Sequence, residues 1–434
     1  MAEWPVVRLG DLISVHHGWP FRGALFSDEL TGRPIVVNIG NFRYTGGFRF
    51  DETTMKEYRG GYPPQYELRP GQILLVMTCQ TAGGEILGIP AKVPDDGRTY
   101  LHNQRLGLVA VKPEAPLDRD FLYWLFLSPD FNRHLVTTAS GSKILHTSPG
   151  RIEGYRFRLP SLPEQRARAE ALGALDDKVE LNRRMNETLE AIARAIFKSW
   201  FIDFDPVHAK SEGRRPAGVD SETAALFPGH FEGSSVGAIP ASWEFDSLVD
   251  ITSVRSGGTP KTSIPEFWDG EVLWFSVVDV PPQGDVFVIN TERKITQAGV
   301  ENSAAKVLPV GTTIMTARGT VGKLALTAVP MAMNQSCYGL VNRRFGKYFT
   351  YYSIREAVDQ LRQRSHGSVF ATITKDTLKG IQVLSPSQRL TQAFEDTVHP
   401  FLSRIVANLT ESRVLAQTRD LMLPRVLAGT SGQK

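Results

Sequence analysis

The chain has 434 residues, 41% of them hydrophobic and 22% charged, too many for one core and ordinary for a soluble globular protein of two domains with connectors. No apolar run reaches the length of a membrane span, Met1-Ala2-Glu3-Trp4-Pro5 does not read as a signal sequence, and the two cysteines, Cys79 and Cys337, give neither a disulfide framework nor a metal spacing, so a reducing cytoplasm is expected. The net charge of +3 is only a weak pointer to nucleic acid; the basic residues are mostly Arg, suited to phosphate and guanine, but a GC-rich genome gives the same bias.

Residues 1–160 read as a mixed α/β domain. Strands are expected at 35–39, 72–78 and 106–111, and the chain is extended again at 155–159. A helix is expected at 118–127, continuing to about residue 135, followed by the polar loop Ala139-Ser140-Gly141-Ser142-Lys143. A long helix follows over 161–205. It opens Leu162-Pro163-Glu164-Gln165, with Ser161 as N-cap and Pro163 in the first turn, holds only one glycine (Gly173), and closes near Phe204. Leu172, Leu175, Val179, Asn182, Asn186, Leu189, Ala193 and Ile196 alternate by three and four, which is a coiled-coil seam; a buried Asn in such a seam selects one partner and one register. Residues 206–238, rich in Gly, Pro and Ser, read as an exposed linker.

Residues 239–386 replay the first domain in order. Trp243 echoes Trp4, Leu308-Pro309-Val310-Gly311 echoes Leu68-Arg69-Pro70-Gly71, Asn334-Gln335 echoes Asn103-Gln104, and Gly367-Ser368 echoes Gly141-Ser142. Residues 387–430 form a second long helix, in which Phe394, Val398, Phe401, Ile405, Asn408, Ser412, Leu415 and Met422 continue the alternation, with a kink expected at Pro400. Asn408 and Ser412 match Asn182 and Asn186 at one offset, 226 (408 − 182). Each domain feeds the start of its own helix, so the helices are expected to run antiparallel, as a rod of roughly 60 Å with one domain at each end and an approximate twofold axis. The fold class is α+β: two mixed α/β domains, an antiparallel coiled-coil pair and an internal repeat.

No catalytic constellation holds. Asp279-Val280-Pro281-Pro282-Gln283 and Tyr62-Pro63-Pro64-Gln65 resemble the Pro-Pro motif of amino-methyltransferases, but both carry Gln where an aromatic must stack. In Gly319-Thr320-Val321-Gly322-Lys323-Leu324 the glycines are too close and Leu replaces the Mg²⁺-holding hydroxyl of a phosphate loop. Nor do the histidines show a metal spacing.

What remains are loops able to bind. In the first copy these are His17, Trp19 and Arg22; Asn38, Asn41 and Arg43; Gln80; Gln104; and Ser142 with Lys143. In the second they are Arg255, Ser256, Gly258, Thr259 and Lys261; Ser276 and Asp279; Arg318 and Thr320; Gln335; and Ser368. Arg and Lys suit phosphate, backbone N–H groups of Gly257-Gly258 could approach one, and amides pair bidentately with adenine. Each loop alone reads equally as a solvated turn, and Asn-Gln, shared by both copies, reads equally as a structural pair. Shared features suit scaffold; features that differ suit readout of two different sites.

Leu162-Pro163-Glu164-Gln165, Phe197-Lys198-Ser199-Trp200-Phe201-Ile202-Asp203-Phe204-Asp205-Pro206, Gly257-Gly258-Thr259-Pro260 and Arg419-Asp420-Leu421-Met422-Leu423-Pro424, set in a duplicated chain, resemble the specificity subunit of type I restriction–modification systems. The resemblance spans essentially the whole chain. Ser385-Pro386-Ser387-Gln388 departs from it, lacking the Glu usual before Gln. It implies two target-recognition domains reading a bipartite DNA site, spacer helices that dock two modification subunits, and a restriction–translocase subunit as a further partner. It implies that S-adenosylmethionine and adenine methylation belong to those partners, with no cofactor, metal or catalytic residue in this chain. A protein-clamping scaffold is the other class that the residues leave open.

Overall fold

A computed structural model of the chain describes residues 4–49, 54–234, 237–282, 284–364 and 372–428. It falls into two units, Met1–Asp177 with Leu415–Lys434, and Lys178–Val414. The boundary between them lies inside both long helices, Leu162–Phe201 and Gln388–Ala428.

In the first unit a four-stranded sheet runs in the order Ile13–His17, Leu106–Val111, Ile73–Val76, Pro90–Lys92, all neighbours antiparallel. Ile73–Val76 is buried on both faces, as an unbroken Ile-Leu-Leu-Val run requires. A second sheet sets Ile35–Val37 parallel to Tyr100–His102. The single helix expected over 118–135 is two, Arg119–Phe126 and Pro129–Thr138. Asp118 caps the first by accepting from Asp120 N and Phe121 N. Ser128 caps the second by accepting from Phe131 N, and Pro129, lacking an N–H, can only begin a helix there. The strand expected over 72–78 is likewise interrupted, and Thr78–Cys79 turns away to pair with Leu145–His146.

Val6–Arg8 pairs with Arg156–Arg158 and delivers the chain to the first long helix. Gln165, fully buried, clips that helix to the domain: its Oε1 accepts from Asp118 N at 2.8 Å, and its Nε2 donates to Pro116 O at 2.9 Å and Pro160 O at 2.8 Å.

The second unit repeats this plan. Its main sheet runs Thr252–Ser256, Cys337–Asn342, Thr313–Thr316, Leu324–Thr327, Phe287–Val288, and Glu244–Ser247 pairs with Gln382–Ser385 at the exit. The repeat holds bond by bond. Trp19 N donates to His102 O at 2.8 Å, and Gly258 N to Met333 O at 3.0 Å. Met77 N donates to Arg105 O at 3.0 Å, and Ala317 N to Ser336 O at 2.8 Å; Met77 O and Ala317 O then accept from Thr147 N and Ile373 N, both at 3.0 Å. Gly71 and Gly311, at φ +77° and +81°, turn the chain into equivalent strands, a conformation that costs glycine nothing.

The segment expected as an exposed linker, 206–238, is built into the domain over residues 206–227. Short helices, Asp205–Ser211 and Ser221–Ala225, lay Val207, Val219, Ala224 and Phe227 into the same core as Trp200 and Trp243. Lys210 Nζ donates to the carbonyls of Ala224 and Phe227, tying the segment down. The first long helix stops at Phe201 rather than Phe204. Phe204 takes a left-handed φ of 55° and Pro206 opens the next helix.

The long helices pair antiparallel within each unit: Arg168 with Val426 and Asp176 with Arg419 in the first, Asn182 with Ser412 and Asn186 with Asn408 in the second. Pro400 does not interrupt the second helix. Asn182, Asn186, Ile405 and Asn408 are fully buried, but Leu175, Val179, Leu189, Ile196, Phe401, Ser412, Leu415 and Met422 are only half-buried. Toward the ends the deepest side chains lie one position along, at Phe197, Leu402 and Leu423, because a helix of 3.6 residues per turn drifts off a strict heptad.

Removing both partners from the central layer should cost less than the two single removals added together. Asn186→Leu strands the Asn408 amide, an expected loss on the order of 1–3 kcal/mol in urea unfolding. Asn186→Leu with Asn408→Leu should lose less than the sum of the two single changes.

Glu395 gives a pH prediction. Its Oε1 accepts from Tyr348 N at 2.8 Å and Phe349 N at 2.7 Å, at the start of helix Lys347–Arg364, yet burial pushes its pKa up to about 7. The folded chain therefore holds a proton that the unfolded chain has lost above its ordinary carboxyl pKa, so stability falls as pH rises from about 4.5 to 7. Glu395→Gln should flatten the melting temperature over that window relative to the parent.

Candidate nucleic-acid interface

In the first unit the loops after Val37 and Cys79 and the turn after His102 enclose a cleft of ≈ 690 Å³, lined among others by Asn38, Arg43, Tyr44, Arg49, Gln80, Asn103 and Arg105. A chain of amides builds its back wall. Asn38 N donates to Asn41 Oδ1 at 2.8 Å, Asn41 Nδ2 to Thr54 O at 3.1 Å, and Asn103 Nδ2 to Asn38 Oδ1 at 3.0 Å, while Asn103 Oδ1 accepts from Arg105 N at 3.1 Å. Asn41 is fully buried with both polar ends committed, so it is scaffold and offers a base nothing. Asn38 is committed at both ends too, since its Nδ2 donates to Val36 O at 3.0 Å. Side chains left to face a ligand are Arg43, Gln80, Arg105 and Tyr44, the last 60% exposed.

The other candidates of this copy stand outside the cleft. His17, Arg22, Gln104, Ser142 and Lys143 are exposed. Trp19 is half-buried, its ring 5.1 Å from Phe21 and 6.3 Å from Tyr66, and so packs as much as it presents. His102, behind the cleft, is neutral at physiological pH. Burial drives its pKa down to about 4, and its Nε2 lies 2.9 Å from Leu106 O.

Sequence reasoning chose Gln104, whereas its neighbours Asn103 and Arg105 line the cleft. The signal was present: the repeat keeps Asn-Gln but puts Ser336 where the first copy has Arg105.

In the second unit Ser276 and Asp279 rebuild the turn of Asn38 and Asn41. Asp279 Oδ2 accepts from Ser276 N at 2.8 Å and Ser276 Oγ at 3.1 Å, and its Oδ1 accepts from Glu292 N at 2.6 Å, so the carboxylate is structural. Gly258 is also corrected. It is buried, its N–H is committed to Met333 O, and its carbonyl accepts from Trp274 Nε1 at 2.9 Å; no phosphate is approached there. A Cβ at Gly258 would sit 2.3 Å from Ala304 C, so glycine serves close backbone packing. Thr259 Oγ1 bonds Gln335 Oε1, and the Ala317 N bond to Ser336 O sets the Arg318 turn beside Gln335. Arg255, Ser256, Lys261, Arg318, Thr320 and Gln335 are exposed. Ser368 lies outside the described residues.

Among the described residues no group of His, Cys, Asp and Glu is placed to hold a metal, and no helix is long and apolar enough to cross a membrane.

One hydrogen-bond frame, used twice and carrying different polar side chains in each copy, defines a duplicated recognition protein. The type I restriction modification DNA specificity domain matches residues 1–191 and 240–403, and the chain belongs to that family, as a specificity subunit with two recognition domains. It is 26% identical over 354 residues to the type I restriction enzyme HindI specificity subunit of Haemophilus influenzae, covering 71% of this chain and 77% of the relative. It is 27% identical over 181 residues to the MjaIX specificity subunit of Methanocaldococcus jannaschii, covering 41% of this chain and 42% of that protein. Its fold is that of the type I restriction–modification S subunit of M. genitalium (TM-score 0.54, 14% identity, 99% and 97% of the two chains).

Arg105→Ala and Arg43→Ala should each weaken DNA binding by about 1–3 kcal/mol, read by fluorescence anisotropy on the assembled complex, with melting temperature unchanged. Asn41→Ala should do the reverse, lowering the melting temperature through its lost turn bonds.

Proposed function

We infer that the two recognition domains read the two halves of one bipartite, asymmetric DNA sequence, and that the helix pair sets the number of unread base pairs between them. The chain is the non-catalytic member of a cytoplasmic complex. Its helices dock two modification subunits, which bind S-adenosylmethionine and methylate adenine, and a translocating restriction subunit completes the assembly.

The observation that carries this is the divergence at equivalent backbone positions. The same donor and acceptor bonds hold Arg105 in one copy and Ser336 in the other. A scaffold clamping a symmetric protein would have reason to keep both alike. Along the helices, Leu181, Ile192 and Val414 in the second unit and Leu421 in the first are 53%, 39%, 56% and 73% exposed, which leaves apolar side chains available to a docking partner.

Selection from random duplex DNA with the assembled modification complex should return two short blocks at one gap, with affinity falling steeply in salt. A single continuous block, or no enrichment, would falsify the reading. Inserting seven residues into each helix should lengthen the gap by roughly three base pairs, since seven residues add about 10 Å and a base pair rises about 3.4 Å, with both blocks unchanged.

A further inference from the structure

Asn186 uses both ends of its side chain. Its Oδ1 accepts from Asn408 Nδ2 at 2.9 Å, which joins the two helices, and its Nδ2 donates to Asp285 Oδ1 at 2.9 Å, which joins the helices to the second recognition domain. Asp285 is carried there by a short loop after Pro281-Pro282. Gly284, at φ +96°, lies flat against the helix, and a Cβ on it would stand 2.7 Å from Glu187 Cγ and 3.1 Å from Glu187 Cα. On the other side of Asp285 the chain enters the domain's main sheet at once: Val286, Phe287 and Val288 are buried, and Phe287–Val288 runs parallel to Leu326 and Thr327. One residue therefore stands between the sheet and the layer that fixes helix register.

The contact is costly for what it gives to stability. Burial raises the Asp285 pKa, the Glu187 carboxylate pushes the same way, and Asn186 and Arg183 only partly oppose them. An apolar contact at this point would hold the loop with less penalty. A carboxylate bonded to a buried Asn instead accepts one geometry and rejects shifted ones. The second helix does not repeat the arrangement, because Ser412 occupies the position equivalent to Asn186 and its Oγ takes Asn182 Nδ2 at 3.2 Å.

We propose that Asp285 is a positioning residue for recognition: it keys the second recognition domain to the Asn186–Asn408 layer and thereby fixes the gap between the two DNA half-sites. Asp285 touches no DNA in this role, and the bases read by either domain do not depend on it. The proposal rests on the bipartite reading above.

Its test is selection on duplexes in which both blocks are held constant and the gap is varied. The parent complex should favour one gap by about tenfold or more over gaps one base pair longer or shorter, the size of one mismatched position. Asp285→Ala should reduce that preference to about threefold or less while random-duplex selection still returns the same blocks. Asp285→Asn, whose Oδ1 can still accept from Asn186, should keep the parental gap, whereas Asp285→Leu, which fills the space without an acceptor, should relax it, an outcome that packing alone would not predict. Gly284→Ala, which drives the loop off Glu187 with Asp285 intact, should relax the gap as Asp285→Ala does, and it decides the matter if Asp285→Ala does not fold. Full gap discrimination in a folded Asp285→Ala or Gly284→Ala complex overturns the proposal. If the parent itself shows no pair of blocks, the bipartite reading has failed instead, and the two failures are told apart by the parent alone.

Discussion

The organisation of this chain depends on one small layer of buried amides inside the contact between its long helices. Asn182, Asn186 and Asn408 are buried where leucines would pack with less desolvation cost. What the amides supply is selectivity. Asn408 Nδ2 reaches Asn186 Oδ1, and Asn182 Nδ2 reaches Ser412 Oγ and, at 2.8 Å, Glu411 Oε2. Slide either helix by one turn and only one polar pair can re-form, Asn182 with Asn408 or Asn186 with Ser412, while the others lose their partners, a penalty of about 1–3 kcal/mol per buried group left unsatisfied. Asn182 and Asn408 hold the same place in their copies, yet their side chains pair with different partners: Asn182 Nδ2 with Ser412 and Glu411, and Asn408 Nδ2 with Asn186, while Asn182 reaches Asn408 only at its backbone carbonyl, at 3.5 Å.

The recognition domains are built on the same economy of constraint. Repeat offsets shrink along the chain: 239 at the opening tryptophans (243 − 4), 231 at the Asn-Gln pairs (334 − 103), and 226 at the strand-closing residues Thr147 and Ile373 (373 − 147). Lengths have therefore changed in the segments that the frame bonds close: Met77 and Arg105 are 28 apart (105 − 77), whereas Ala317 and Ser336 are 19 apart (336 − 317). A backbone bond such as Met77 N to Arg105 O is indifferent to the side chain it carries, so the loops between such bonds are free to differ in length and chemistry.

Much of this was legible in the sequence because it lay in periodicity and order. The strand Leu106–Val111 matches its expected span, both long helices appear, and the antiparallel pairing follows from each domain feeding its own helix. The errors have local causes. The break at Ser128-Pro129 is a capping signal overridden by an apolar run, and Val207 and Phe227 were hidden in a Gly- and Pro-rich segment whose composition says turn while its few large side chains say core. At the interface the failure was systematic. Asn38, Asn41 and Asp279 are expected to face DNA as polar loop side chains, yet the two amides and the carboxylate are consumed by their own turns. Ser, Asn and Asp at the start of a short turn bond nearby backbone before they bond anything else.

That distinction separates residues that hold the cleft from residues able to change what it binds. Asn103 ties its turn to Asn38 and to the Arg105 N–H, so replacing it disturbs the wall. Arg105 contributes its backbone to the frame and leaves its guanidinium to the cleft, so its side chain can be exchanged without touching any bond that the fold requires. Ser336 shows the same backbone bond supporting a side chain of different size and charge. A protein built on a fixed helix pair can therefore alter what its domains present by substitution at such positions, while the buried amide layer continues to hold the helices in one register.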